Sequence, residues 1–207
     1  MKRVLTAKTL EPTWGKLREP FLRVANFARA FNATSPSGIY ALDAFELDHG
    51  QRPLNSASVF NFFLPNHSPP GPITQAGLTA PEFQIINAST AIAASNYYWD
   101  AIFNGLNRWG VSNAQNNVTL NLTQEMAMVV PASQVNDSVP AGPAYDPDPL
   151  LRRLDLALTG GALSPQQFQI IRETLARIPR NSWEWHRDYL RTAIYLIVTS
   201  PDFCVLR

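Results

Sequence analysis

Apolar side chains recur along this chain mostly at a spacing of three and four, the signature of helices with one buried face. Leu17, Phe21, Ala25, Ala28 and Phe31 follow that spacing, with Arg18, Arg23 and Arg29 between them, and predict an amphipathic helix over about 16–31 with Pro20 in its first turn. Asn32 to Gly38 has loop chemistry, because its small polar side chains compete for backbone hydrogen bonds and Pro36 and Gly38 stop a helix. A shorter helix is expected over 39–47. Thr79-Ala80-Pro81-Glu82 has the pattern of a capping box, in which the threonine and the acid satisfy each other's orphan backbone donors. A long helix over 81–103 is predicted to start there.

The last third is the most regular. Leu150, Leu151, Leu154 and Leu158 form one stripe closed by Gly160-Gly161. Ser164-Pro165-Gln166-Gln167 resembles a second capping box and precedes Phe168, Ile171, Leu175 and Ile178, with Pro179 as the stop. Trp185, Tyr189, Ala193, Ile194, Ile197 and Val198 mark a third helix from near Ser182 to Ser200-Pro201. Three helices with short connections pack as a hairpin plus one. The expected class is therefore all-α: an irregular multi-helix single domain over 1–207, with a loop-rich region at 104–145 and a carboxy-terminal three-helix unit. Within that region Val118, Leu120 and Leu122 alternate like one short strand with no visible partner strand.

Two stretches break the helical pattern. One is Ser58-Val59-Phe60-Asn61-Phe62-Phe63-Leu64-Pro65, followed by Asn66-His67-Ser68-Pro69-Pro70-Gly71-Pro72. Its phenylalanines are expected to wedge between helices. The other is the cluster Asp43, Glu46, Asp48 and His49, which a turn can gather around a divalent ion or a hydrolytic water. A solvated helix end explains the cluster more simply, since charged side chains usually stay exposed.

Composition narrows the function. Seventeen basic against sixteen acidic residues leave a net charge of +1, so the basic field of a nucleic-acid binder is missing and no DNA or RNA partner is expected. The single cysteine, Cys204, excludes an intrachain disulfide and a thiolate zinc site. No run approaches the ~20 apolar residues that span a bilayer. The basic start Met-Lys-Arg is interrupted by Lys8, Glu11 and Pro12 before any apolar core forms, so no targeting segment is read there. His49, His67 and His186 form no metal-ligand spacing, and neither metal nor cofactor is expected. Serine elbows, phosphate loops and dinucleotide fingerprints are absent as well.

The candidates for chemistry are Asp48, His49, His67 and Glu82, and those for binding are Phe60, Phe62, Phe63 and His67. Glu82 would serve as acid or base if buried against the phenylalanines, although the capping role also accounts for it. Trp14, Trp99, Trp109, Trp183 and Trp185, with Tyr97 and Tyr98, offer flat rings for sugar stacking, but their helical positions favour core packing.

Gly15-Lys16-Leu17-Arg18-Glu19-Pro20, Ser58 to Pro65, Pro69-Pro70-Gly71, Ala76 to Ile85 and the closing Ala193 to Phe203 occur in this order. Together they resemble the carboxy-terminal part of the bacterial family called domain of unknown function 1800. That resemblance implies a longer, exported protein whose front part carries the export signal, a periplasmic or extracellular location for the full-length protein, and a sulfatase-like partner encoded nearby. It supplies no catalytic residue. Two readings follow: a helical module that binds or scaffolds a partner protein or an envelope or extracellular polymer, or a hydrolase completed by residues upstream of Met1.

Overall fold

A computed structural model describes residues 15–40, 42, 48–107, 113–129, 146–179 and 184–206. The described residues open with a two-residue strand, β1 (Lys16–Leu17), followed by helix α1 (Pro20–Ala30). Next come the one-turn α2 (Pro72–Gln75), a 3-10 turn (Pro81–Gln84) and the long α3 (Ala88–Asn104). Beyond a second 3-10 turn (Ala114–Asn116) lie α4 (Thr123–Val129), α5 (Asp148–Thr159), α6 (Pro165–Ala176), α7 (Trp185–Val198), α8 (Pro201–Cys204) and the strand β2 (Val205–Leu206). The all-α class holds. The two short strands pair antiparallel, Lys16 opposite Leu206 and Leu17 opposite Val205, and so tie the two ends of the described chain together.

Helix α7 is the axis of the core. Tyr189, Leu190, Ala193, Ile194, Ile197 and Val198 are all buried, and α3, α4, α5, α6 and α8 pack around it. The leucine stripe of α5 is 0–1% exposed, and Ile171 and Leu175 of α6 close the same core. Full burial of such side chains contributes roughly 1.5–3 kcal/mol each before chain entropy is counted. Along the α3–α7 seam, Trp99 and Phe103 sit one turn apart and receive Arg191 over both rings at 5.0 Å, while Arg187 lies 4.6 Å from Phe103. Arginine stems cover apolar surface there while their charged heads meet ring faces. Helix α5 is joined to α4 by Arg153 and the buried Glu125 at 3.2 Å, and to α1 by Asn26 Nδ2 donating to the Leu158 carbonyl at 2.8 Å.

The stop of α5 and the start of α6 fall where they are predicted, while α6 ends at Ala176, ahead of Pro179, and the start expected near Ser182 lies outside the described residues. Gly160 closes α5 in the left-handed region at φ 73°, and Ser164 accepts from the Gln167 amide at the start of α6. Elsewhere the structure corrects the expectations. The predicted helix over 16–31 begins only at Pro20, because Lys16 and Leu17 are held as a strand against β2. Its inner face is Arg23, Val24 and Phe27, a different phase from the one expected, and Phe21 and Leu22 are exposed.

The helix predicted over 81–103 divides in two. Ala80 precedes the 3-10 turn with no side-chain cap, and Asn87 opens α3 with a reciprocal capping box to Thr90. The Thr79–Glu82 pattern loses because a stronger asparagine cap lies eight residues downstream and the Glu82 carboxylate is engaged by Lys16. Thr119 of the alternating stretch pairs with Thr34 in an isolated bridge, so its partner is the loop after α1 and no strand extends from it. The loop-rich region contains α4 and a 3-10 turn within its described part. Gly105 is needed where α3 ends: at φ 92° it lets the backbone pass so close to Asn117 that a side chain would collide with it and with the Val118 carbonyl at 2.8 Å. The predicted helix over 39–47 falls largely outside the described residues, and Asp48 and His49 are helical.

Candidate functional site

The segment 58–84 is held by its own polar groups more than by the core. Ser58 accepts from the Phe60 amide at 3.1 Å and its carbonyl accepts from Asn61 at 3.1 Å, a reverse turn with Asn61 at φ 71°. Gln84 Oε1 accepts from the Leu64 amide at 2.7 Å, and the His67 carbonyl accepts from Ala80 at 3.0 Å. Ser68 Oγ lies 2.8 Å from Thr74 Oγ1 and donates to the Leu78 carbonyl at 2.8 Å. With these polar atoms paired internally, the loop presents apolar side chains outward. Val59 is 96% exposed, Phe60 58% and Leu78 61%.

The expected wedge of phenylalanines is therefore corrected. Phe60 is exposed, Phe62 and Phe63 are half-buried, and none belongs to the core that surrounds α7. The loop's prolines and turns curve the chain before these rings can reach the helix seams.

Between this loop and β1 runs a groove of about 710 Å³, lined by Gly15, Lys16 and Leu17 on one side, Val59, Phe60, Asn61, Phe63 and Pro65 on the other, and Leu78 to Glu82 along a third. Glu82 is only 2% exposed, and its Oε1 meets Lys16 Nζ at 3.3 Å. Burying a carboxylate is costly unless it is paired. Lys16 supplies the pairing while remaining more than half exposed.

The strand bordering the groove has an outer edge. Arg18 donates to the Cys204 carbonyl at 2.7 Å, and Lys16 stands opposite Leu206. In an antiparallel pair, alternate residues turn their peptide groups toward and away from the partner strand. The N–H and C=O of Leu17 therefore point away from β2, and Leu17 lines the groove.

The other candidates lie elsewhere. Asp48 and His49 are 2% and 1% exposed, which corrects the solvated helix end expected for them. The His49 ring packs edge-on against Tyr97 at 4.6 Å and Tyr98 at 6.1 Å. Burial, helped by the nearby Arg23 charge, holds its pKa down from 6.5 to about 3. Burial also raises both tyrosine hydroxyls above their ordinary range, with mutual repulsion adding to it at Tyr97. Neither Asp48 nor His49 lines the groove, and His67 is half-buried beside it without lining it. Of the four candidates for chemistry only Glu82 is in the groove; of the four for binding, Phe60 and Phe63 are. Asp43 and Glu46 lie outside the described residues, among which no three His, Cys, Asp or Glu side chains are grouped to hold a metal. Tyr97 and Tyr98 are core residues, Trp99 meets Tyr195 edge-on in the helix seam, and Trp185 packs edge-on against Tyr189; Trp14, Trp109 and Trp183 lie outside the described residues.

Sequence reasoning missed Lys16 and Leu17 because helical spacing absorbed them. The signal was the strand-like register of Lys16 to Arg18 against the closing Cys204 to Leu206, which is visible only once the ends are brought together.

A model of the family described as "Protein of unknown function (DUF1800)" matches residues 1–205 of the chain. The chain belongs to the DUF1800 family. No curated protein and no solved structure matches it. Membership brings no activity with it, but it gives the groove a meaning. Three of the separate segments that carry the DUF1800 resemblance, Gly15 to Pro20, Ser58 to Pro65 and Ala76 to Ile85, converge in space as the walls of this one groove.

Proposed function

We propose that this DUF1800 chain is a non-catalytic binding module and that its groove takes an extended segment of a partner protein. The observation that carries the reading is the convergence of three distant, family-marking segments on a groove bordered by a strand edge that no other described strand pairs. An added strand pairs with the outward peptide groups of Leu17 and sets its alternate side chains against Phe60 and Leu78, the mode in which main-chain bonds supply affinity and side-chain pockets supply selectivity. A basic side chain in the segment is favoured, because it shares the Glu82 carboxylate with the exposed Lys16 ammonium. The hydrolase alternative asks for Asp48, His49, His67 and Glu82 in one pocket. Glu82 alone lines the groove, which supports binding over hydrolysis.

Phage-displayed random decapeptides panned on the chain, with enriched sequences resynthesised and measured by fluorescence anisotropy, test the reading. Phe60→Asp and Leu78→Asp, both at exposed positions, are expected to weaken the enriched peptides by at least about tenfold, as truncated anchor residues do. Peptides that bind both variants as well as the parent, or a library that yields no binder while soluble envelope polysaccharide does bind, overturn it.

A further inference from the structure

Beside β1 the interior holds two guanidinium groups, Arg18 and Arg23, that no carboxylate of the described residues neutralises. Arg18 is 9% exposed and Arg23 8%. The Nε atoms of both are enclosed without a hydrogen-bond partner, and among the described residues neither side chain forms an ion pair. Arg23 Nη1 donates to the Cys204 sulfur at 3.3 Å, a weak acceptor, and Arg18 stacks over the Phe203 ring at 5.3 Å. The carbonyl end of α5 borders the same place and offsets part of one charge.

Guanidinium does not shed its proton in a protein, so two neighbouring buried copies keep their charge and repel. Burial lowers the Arg18 pKa; Cys204 and Tyr98 oppose that shift, and Arg23 adds to it. A buried charge without a partner is among the costliest features a fold carries. An anion relieves it.

Space for one adjoins Arg18. A cleft of about 450 Å³ is lined by Arg18, Leu22, Asn26, Leu156 to Gly160 and Leu206. Its apolar walls are exposed: Leu22 46%, Leu156 66% and Leu206 41%. A free inorganic anion uses only the arginine and leaves these leucines in water. We propose that this cleft binds an amphiphilic oxyanion, a carboxylate or phosphate head against Arg18 with an aliphatic chain laid on Leu22, Leu156 and Leu206. The Arg23 charge behind Arg18 deepens the positive field at the head. The site is separate from the peptide groove and stands or falls independently of it.

Such a head and chain are presented by a free amphiphile or by a membrane lipid, and two arms separate the sources. Isothermal titration of the chain with monomeric octyl phosphate is compared with inorganic phosphate and octyltrimethylammonium, and co-sedimentation is measured with phosphatidylcholine vesicles with and without phosphatidylglycerol. Octyl phosphate is expected to bind at least about tenfold more tightly than inorganic phosphate, since even partial burial of its aliphatic chain adds to the affinity. Binding to the phosphatidylglycerol vesicles alone assigns the head to a lipid and also supports the site. Arg18→Met should abolish either signal. Leu156→Glu, at an exposed helical position, should weaken it by about tenfold or more while leaving the melting temperature unchanged. The proposal is overturned if neither anion source binds, if octyltrimethylammonium binds equally well, or if the signal survives in the well-folded Leu156→Glu chain.

Discussion

Acidification from neutrality should destabilise this protein, and His49 is the reason. The imidazole is 1% exposed, faces the Tyr97 and Tyr98 rings of α3, and feels the Arg23 charge from α1. Its folded pKa is depressed from 6.5 to about 3. A histidine depressed in this way binds its proton more readily in the unfolded chain. Its contribution is present in full above 6.5, falls as pH drops below that value, and levels off beneath about 3. At about 1.36 kcal/mol per pKa unit the whole shift corresponds to an order of 5 kcal/mol, of which about 2 kcal/mol is lost between neutrality and about pH 5. Urea unfolding at constant ionic strength, at about pH 7.5 and about pH 5, measures that loss. His49→Gln removes the titrating group, so less than half of the loss should remain in the variant. An equal loss in both proteins, or none in the parent, refutes the assignment of the acid sensitivity to His49.

Other consequences are sharper for being paired. Asn87→Ala should cost about 1 kcal/mol in chemical denaturation because Asn87 accepts from the Ser89 and Thr90 amides, whereas Thr79→Ala should cost a few tenths of a kcal/mol at most, since no cap forms there. Tyr98→Phe should be neutral or stabilising by up to about 1 kcal/mol, because the buried hydroxyl has no hydrogen-bond partner among the described residues, while Tyr98→Ala should cost on the order of 3–5 kcal/mol. Gly105→Ala should lower stability by more than about 2 kcal/mol, combining a left-handed φ of 92° with a Cβ placed 2.8 Å from the Val118 carbonyl. Leu154→Ala, at a position 0% exposed, should cost roughly 2–5 kcal/mol and appear as a fall in melting temperature.

What could be read from the sequence follows the range of the interactions. The stripes of α5, α6 and α7, their Ser164 cap and the Gly160 stop are local, and each was legible from a window of a dozen residues. The start of α3 was misplaced because two cap patterns compete within ten residues, and the contest is decided by Lys16, far away in sequence, which holds Glu82. The phase of α1 was misread for a related reason. Pairing of Lys16 and Leu17 with the other end of the chain removes them from the helix, and the true stripe, Val24, Phe27 and Phe31, was present but overlapped the expected one. The aromatic loop was recognised as unusual, and Phe60, Phe63 and Glu82 do line the groove. Their other wall was invisible to any local pattern, because a strand of two residues has no periodicity to detect.

The β1–β2 ribbon links the two sites physically. Lys16 and Leu17 border the groove proposed for a peptide, while Arg18 and Leu206 border the cleft, so one three-residue stretch of backbone lies along both. Among the described residues the ladder around Lys16–Leu206 and the Arg18 to Cys204 bond hold that stretch to the β2 end, and two paired residues are marginal on their own. Anything that neutralises Arg18 removes a repulsive buried charge at the end of β1 and firms the strand whose outer edge an incoming segment must match. Occupancy of the cleft should therefore raise the affinity of a groove-binding peptide, and by linkage the peptide should raise the affinity for the anion by the same factor. Titrating an enriched peptide with and without saturating octyl phosphate reads this directly. Equal affinities would mean that the ribbon is already rigid and that the two sites act independently.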